Sequence, residues 1–135
     1  MAGLLAMAGW LLLVILPRNN IARLVSGVVI PLLLSTGYFI LIAMNLQGAE
    51  GGFGSLADVA MLFQKPELLL AGWIHYLAFD LFIGAWEVRD SQRHGIHHLV
   101  VIPSLVMTFM LGPIGLLFYF AIRTAKTRAL KLEEA

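Results

Sequence analysis

Apolar residues run along this 135-residue chain in four long blocks with three polar interruptions. Residues 2–16 are unbroken until Pro17-Arg18-Asn19-Asn20. Residues 21–45 form the second block, and residues 46–65 are the one real break. The third block runs over about 66–87, and a short polar link over 89–95 leads into the fourth, about 96–122. A helix crossing a bilayer needs ~20 apolar residues. The pattern therefore predicts an all-α fold, an integral membrane four-helix bundle, as a single transmembrane domain over 1–135. A polar basic tail over 123–135 closes it.

Punctuation refines this. The first block has no basic residue before it and meets its first charge at Arg18, so a membrane helix is read rather than a cleaved signal, a signal anchor being the alternative. Arg23 opens the second span, where a long side chain can snorkel. Pro31 predicts a kink there, and Ser35 and Thr36 can satisfy backbone groups it frees, although helix packing explains them as well. The glycine-rich stretch around 47–54 must be loop. Ser55 with Asp58 three residues on resembles a capping box, and Leu56, Val59, Ala60, Leu62 and Phe63 follow at helical spacing. A short amphipathic helix at the membrane interface is expected. Pro66 and Glu67 fit a helix start.

Composition agrees: 60% of residues are hydrophobic and 13% charged, against roughly 25% charged in soluble domains. The net charge of +1 gives no reason to expect a nucleic-acid partner. With no cysteine, disulfides and thiolate chemistry are excluded. Four spans would put both termini on one side. Arg18, Arg23, Arg89 and Arg93 would then oppose Lys65, Arg123, Lys126, Arg128 and Lys131, too even a split for the positive-inside rule. The reading leans to cytoplasmic termini.

The candidate chemistry sits in residues 73–90, which carry His75, Asp80, Glu87 and Asp90 inside an apolar run. A charge at the centre of a span costs at least ~2.5 kcal/mol, so such groups mark function or have partners. At 100° per residue, Trp73, Tyr76, Asp80, Gly84 and Glu87 share one stripe, while His75 lies nearer Phe79, Phe82 and Trp86. Glu87 and Asp90, near the helix end, read as solvated or paired with Arg89 or Arg93. On the fourth span His94, His97, His98, Ser104 and Thr108 form a polar seam that would oppose Asp80. Gly112-Pro113 with Gly115 reads as a close-packing notch. The spelling His94-Gly95-Ile96-His97-His98 matches the H-x-x-H-H of membrane di-iron enzymes, which need about eight histidines where this chain has four. A mononuclear site of His75, Asp80 and His98 is chemically conceivable, but no metal is expected. The aromatics Trp73, Tyr76, Phe79 and Trp86, with Phe109 and Tyr119, could line a groove for a polyene. On the residues alone, interfacial anchoring and helix packing are the preferred reading.

The run Trp73-Ile74-His75-Tyr76-Leu77-Ala78-Phe79-Asp80-Leu81-Phe82, then Asp90, Gly95-Ile96-x-His98 and Gly112-Pro113-x-Gly115 resembles the abscisic-acid-deficient-four-like family. These are small integral membrane proteins of plants, algae and bacteria. The resemblance covers about residues 1–125. Plant members are needed to make neoxanthin from violaxanthin, so the resemblance implies xanthophyll or other isoprenoid chemistry in the membrane. That step opens an epoxide and removes a proton to form an allene, an isomerisation without net redox. Asp80, His75 and His98 are the expected catalytic residues. Trp73, Tyr76, Phe79, Trp86 and Thr108 are expected against the substrate. No diffusible cofactor is implied; a bound carotenoid is.

Two other functions fit the same features. One is a non-catalytic carotenoid-binding subunit of a larger photosynthetic or rhodopsin complex, or a homo-oligomer. The other is a proton-conducting or transport subunit using Asp80 and the histidine seam. The expected location is a bacterial inner membrane, with membrane lipid and an isoprenoid as partners. Added carotenoid that turns over separates the enzyme from the binding subunit.

Overall fold

The structure, a computed structural model, describes residues 1–128. These residues are helical with no strand among them. Helix α1 covers Ala2–Ile15. Helix α2 covers Asn20–Leu24 and passes through a π-helical turn, Val25–Val29, into α3, Ile30–Asn45. The short α4 is Leu56–Leu62, α5 is Pro66–Arg93, α6 is His98–Leu111 and α7 is Pro113–Thr127. Two continuous helical stretches, Asn20–Asn45 and Pro66–Arg93, are long and apolar enough to cross a membrane.

Helix α5 is the axis on which the others are arranged. Its 28 residues span about 42 Å at 1.5 Å per residue. The α2–α3 rod is antiparallel to it: Arg23 Nη1 donates to Gln92 Oε1 (3.0 Å) at one end, and Lys65 Nζ donates to the Asn45 carbonyl (3.0 Å) at the other. Helix α1 runs parallel to α5. Its Gly9 and Trp10 lie against Leu81 and Gly84, and its end meets His98, whose Nε2 is 3.0 Å from the Val14 carbonyl. The core is the apolar filling between these rods, including Ala6, Leu13, Ile30, Leu34, Leu77 and Leu81.

Local chemistry sets the boundaries. Asn19 caps α2 by accepting from the Ile21 and Ala22 amides (2.9 and 3.0 Å), satisfying two orphan donors. Ser55 Oγ accepts from the Asp58 amide (3.1 Å), which starts α4 as the spacing suggests. Where Pro31 predicts a kink, the helix continues through the π turn instead. A proline lacks an N–H and crowds the carbonyl four residues back, and the wide turn just before it absorbs both. Thr36 Oγ1 bonds the Leu32 carbonyl (2.8 Å); Ser35 is exposed. The seal between α1 and the π turn is Ser26, fully buried, whose Oγ donates to the Gly9 carbonyl (2.9 Å). Ser26→Ala leaves that contact unmade, and a loss of about 1 kcal/mol is expected in a denaturation midpoint.

The fourth block departs from expectation. The segment 96–122 is not one span but two helices broken at Gly112, which has φ +49° and is followed by Pro113. Positive φ favours glycine, and proline reopens a helix at its first position. Helix α6 descends from the C-terminal end of α5 to the level of Asp80, midway along α5, where Gly112 packs on the Asp80 carboxyl. Helix α7 then climbs back, and its Arg123 reaches Asp90. The pair is a helical hairpin. The tail likewise starts later than position 123: helix α7 runs to Thr127, and Arg123 is fully buried. Lys131, Glu133 and Glu134 of the expected tail lie outside the described residues.

The hairpin closes at Gly115, whose added Cβ would overlap the Thr108 backbone and hydroxyl. Gly115→Val is therefore expected to pry α6 from α7. Overpacking costs typically 1–3 kcal/mol, and lower thermal stability in detergent is the check.

Candidate functional site

One face of α5 meets the hairpin, and three acidic side chains on it are handled differently. Asp80 is half-buried and faces the Gly112 turn. A Cβ at Gly112 would stand 2.9 Å from Asp80 Oδ1, so a side chain there would push the carboxyl aside, on top of the strain of its positive φ. The Tyr76 hydroxyl, one turn away, donates to the Phe109 carbonyl at 3.1 Å. Asp80 Oδ2 is buried without a hydrogen-bond partner.

Glu87, two turns on, is fully buried. Thr108 Oγ1 donates to its Oε1 (2.8 Å), and its Oε2 has no partner. Asp90 is buried and paired: Arg123 Nε donates to Oδ2 at 2.8 Å and the Tyr119 hydroxyl at 2.6 Å. Arg123 Nη2 also donates to His94 Nε2 (3.1 Å). Because a guanidinium can only donate, that nitrogen accepts, and His94 Nδ1 carries the proton it gives to the Asp90 carbonyl (2.8 Å). The expected partners of Glu87 and Asp90, solvent or Arg89 and Arg93, are thus replaced by α6 and α7. Helical spacing cannot reveal a helix that folds back over this face.

An apolar groove of about 600 Å³ lies between the start of α1, α5 and α6, lined by Tyr76 but not by Asp80, one turn further along α5. Met7, Trp73, Tyr76, Leu77, Phe109 and Met110 are among its walls. Trp73 stacks on Tyr76 with ring centroids 5.6 Å apart, and the Phe109 ring meets Trp10 edge-on at 5.6 Å. Of the residues expected against a substrate, Trp73 and Tyr76 line this groove. Thr108 serves Glu87. Trp86 packs on Tyr119 and Phe120 of α7, and Phe79 lies on another face against His75 (4.7 Å between ring centroids).

Asp80, His75 and His98 are not gathered into one cluster. His75 contacts Tyr38 and Phe79 and lines a separate pocket of about 200 Å³ with Phe53 and Phe63. His98 belongs to the C-terminal end of α5, bonded to α1. The H-x-x-H-H spelling straddles a helix boundary. His94 ends α5, and His97 caps α6 through its Nδ1 (3.4 Å from the Leu99 amide). Ser104, of the same expected seam, bonds its own helix at the Val101 carbonyl (2.7 Å). No group of three or more His, Asp or Glu side chains among the described residues could hold a metal ion.

No curated protein and no solved structure matches this chain. The family described as ABA DEFICIENT 4-like matches residues 1–119, through the groove, the Asp80 face and the hairpin as far as Tyr119. The chain therefore belongs to the ABA4-like family.

Proposed function

We propose that this chain is an integral membrane isomerase of carotenoid or related isoprenoid chemistry, with Asp80 as its acid. The observation that carries the reading is the buried, unpartnered Oδ2 of Asp80, one turn along α5 from Tyr76, which lines an apolar groove. A buried polar atom without a partner costs about 1–3 kcal/mol, so its retention points to use. The family name, ABA DEFICIENT 4-like, supports a link to the neoxanthin chemistry upstream of abscisic acid.

In this reading a long polyene lies along Trp73, Leu77 and Met110, with its polar ring end at Asp80. An Asp80 carrying its proton delivers it to an epoxide oxygen as the ring C–O bond breaks. The carboxylate so formed takes a proton from the adjacent polyene carbon, and that C–H pair becomes the new double bond of an allene. Atoms and electrons balance: the product is an isomer and Asp80 regains its proton. Tyr76 fixes the groove wall next to it through its bond to the Phe109 carbonyl.

The membrane placement follows from the rods. Helices α2–α3 and α5 span the bilayer, with α1 and the re-entrant hairpin completing a four-element bundle. Asp80 lies at mid-depth and α4 near the opposite surface from the hairpin's base. Because α7 turns back, the start of α1 and the end of α7 lie towards opposite sides, not together as four full spans would require. Of the nine Lys and Arg, Arg18, Arg23, Arg89, Arg93, Arg123, Lys126 and Arg128 gather at the C-terminal end of α5 and Lys65 alone at the other; Lys131 lies outside the described residues. The positive-inside rule then puts the Arg93 end in the cytoplasm, consistent with a bacterial inner membrane. The chain lacks cysteine, so Glu50→Cys and Lys126→Cys can be labelled one at a time in sealed cells. An impermeant maleimide is expected to reach position 50 and not 126.

A second reading, a pigment-binding subunit without turnover, is favoured by the exposed Trp73, Phe79 and Phe82, at 55, 57 and 44%. Pigment extraction from protein purified in mild detergent tests both. An isomer distinct from the supplied carotenoid supports the enzyme, and the supplied carotenoid returned unchanged supports the subunit.

A further inference from the structure

A second cavity, of about 400 Å³, opens at the C-terminal end of α5, away from Asp80. Arg18, Arg23, Gln92, His97 and His98 line it, with Pro17, and no acidic side chain does. Its walls are fixed by hydrogen bonds. Gln92 Nε2 donates to the Pro17 carbonyl (2.7 Å), and Gln92 Oε1 accepts from Arg23 Nη1 (3.0 Å). Asn20 Oδ1 accepts from Arg23 Nη2. Two of the five N–H donors of Arg23 are therefore used to aim it, and three remain. His98 must donate through Nε2, because its partner, the Val14 carbonyl, can only accept. Asp90, next in sequence to the lining residue Ser91, is engaged by Arg123 and Tyr119. Neither Arg18 nor Arg23 forms an ion pair among the described residues.

Two guanidiniums converging on a crevice without a counter-charge form a receptor for a multiply hydrogen-bonding anion, and phosphate matches the fork of arginine. Leu16, Ile21 and Leu99, beside the lining residues in sequence, are exposed at 44, 72 and 68%, so the rim is greasy. We propose that this crevice binds the phosphate of an anionic membrane amphiphile, its chains lying over Leu16, Ile21 and Leu99. The proposal rests on the membrane placement above and is independent of any chemistry at Asp80.

The test is native mass spectrometry of the detergent-purified chain titrated with phosphatidylglycerol, phosphatidylcholine or inorganic phosphate. The wild type is expected to retain phosphatidylglycerol about tenfold more tightly than phosphatidylcholine, the scale of one charge-assisted bond. Arg23→Gln and Arg18→Gln should each erase most of that preference. Arg18→Gln removes no hydrogen bond between described residues, so it keeps the test open if loss of Arg23 unsettles α2. Equal retention of the two lipids, or a preference unchanged in both variants, overturns the proposal. Inorganic phosphate bound as tightly as phosphatidylglycerol, and lost in both variants, keeps phosphate recognition and overturns the lipid as its source. Alkaline carbonate extraction of native membranes reports separately: release of the chain would sink the membrane placement, whereas retention without lipid preference sinks this proposal alone.

Discussion

Asp80→Asn is expected to abolish conversion of an epoxy carotenoid while leaving its binding intact. The amide keeps the shape of the carboxyl and its contact with the Gly112 turn, but it has no proton to give. Positioned acid–base groups contribute typically 10²–10⁴-fold, so turnover should fall by about that factor. Tyr76→Phe removes the bond to the Phe109 carbonyl that ties the groove wall to the end of α6; a smaller fall is expected, about tenfold, the scale of one hydrogen bond, with the same product. The two variants separate proton delivery from placement. Single-turnover rates alongside pigment retained on the protein are the measurement, and turnover unchanged in Asp80→Asn would remove the acid role.

The second large effect concerns the clamp that returns α7 to α5. Arg123 is fully buried with its Nε on Asp90 Oδ2. Removing one partner of a buried pair leaves a charge without compensation and costs about 3–5 kcal/mol. Arg123→Met is therefore expected to lower thermal stability sharply. Asp90→Leu combined with Arg123→Met should recover much of the loss, since replacing both charges with apolar groups is often neutral. The double-mutant cycle reads the coupling directly. An additive double mutant, no better than the sum of its singles, would show that the pair does not hold the hairpin.

Much of the helical frame is legible from the order of apolar and polar residues. The blocks, the loop over 46–55, the Ser55 cap and the stripe of Asp80 and Glu87 all follow from local spacing. The helical hairpin does not. Gly112-Pro113 is visible as a weak point, but whether a chain bends or reverses there depends on what α7 meets. Here it meets Asp90, thirty-three residues earlier, and no periodicity encodes that. Reading 96–122 as one span then displaced everything tied to it. Arg123 then falls in a tail, Asp90 in solvent or beside Arg89 and Arg93, and the basic residues divide between two sides. The histidine seam failed for a related reason: α5 continues to Arg93, so His94 sits on a different helix from His98. The bond from Tyr76 to the Phe109 carbonyl is likewise hidden, because Tyr76 looks like any interfacial aromatic until α6 ends beside it.

The most direct measurement is chromatography of an epoxy xanthophyll incubated in the dark with the purified chain in lipid nanodiscs, without added cofactor. A time-dependent product of unchanged mass, carrying an allene and formed in proportion to protein, is the expected result. The same xanthophyll recovered unaltered from protein that holds it bound would contradict the isomerase and leave a pigment-binding subunit in its place.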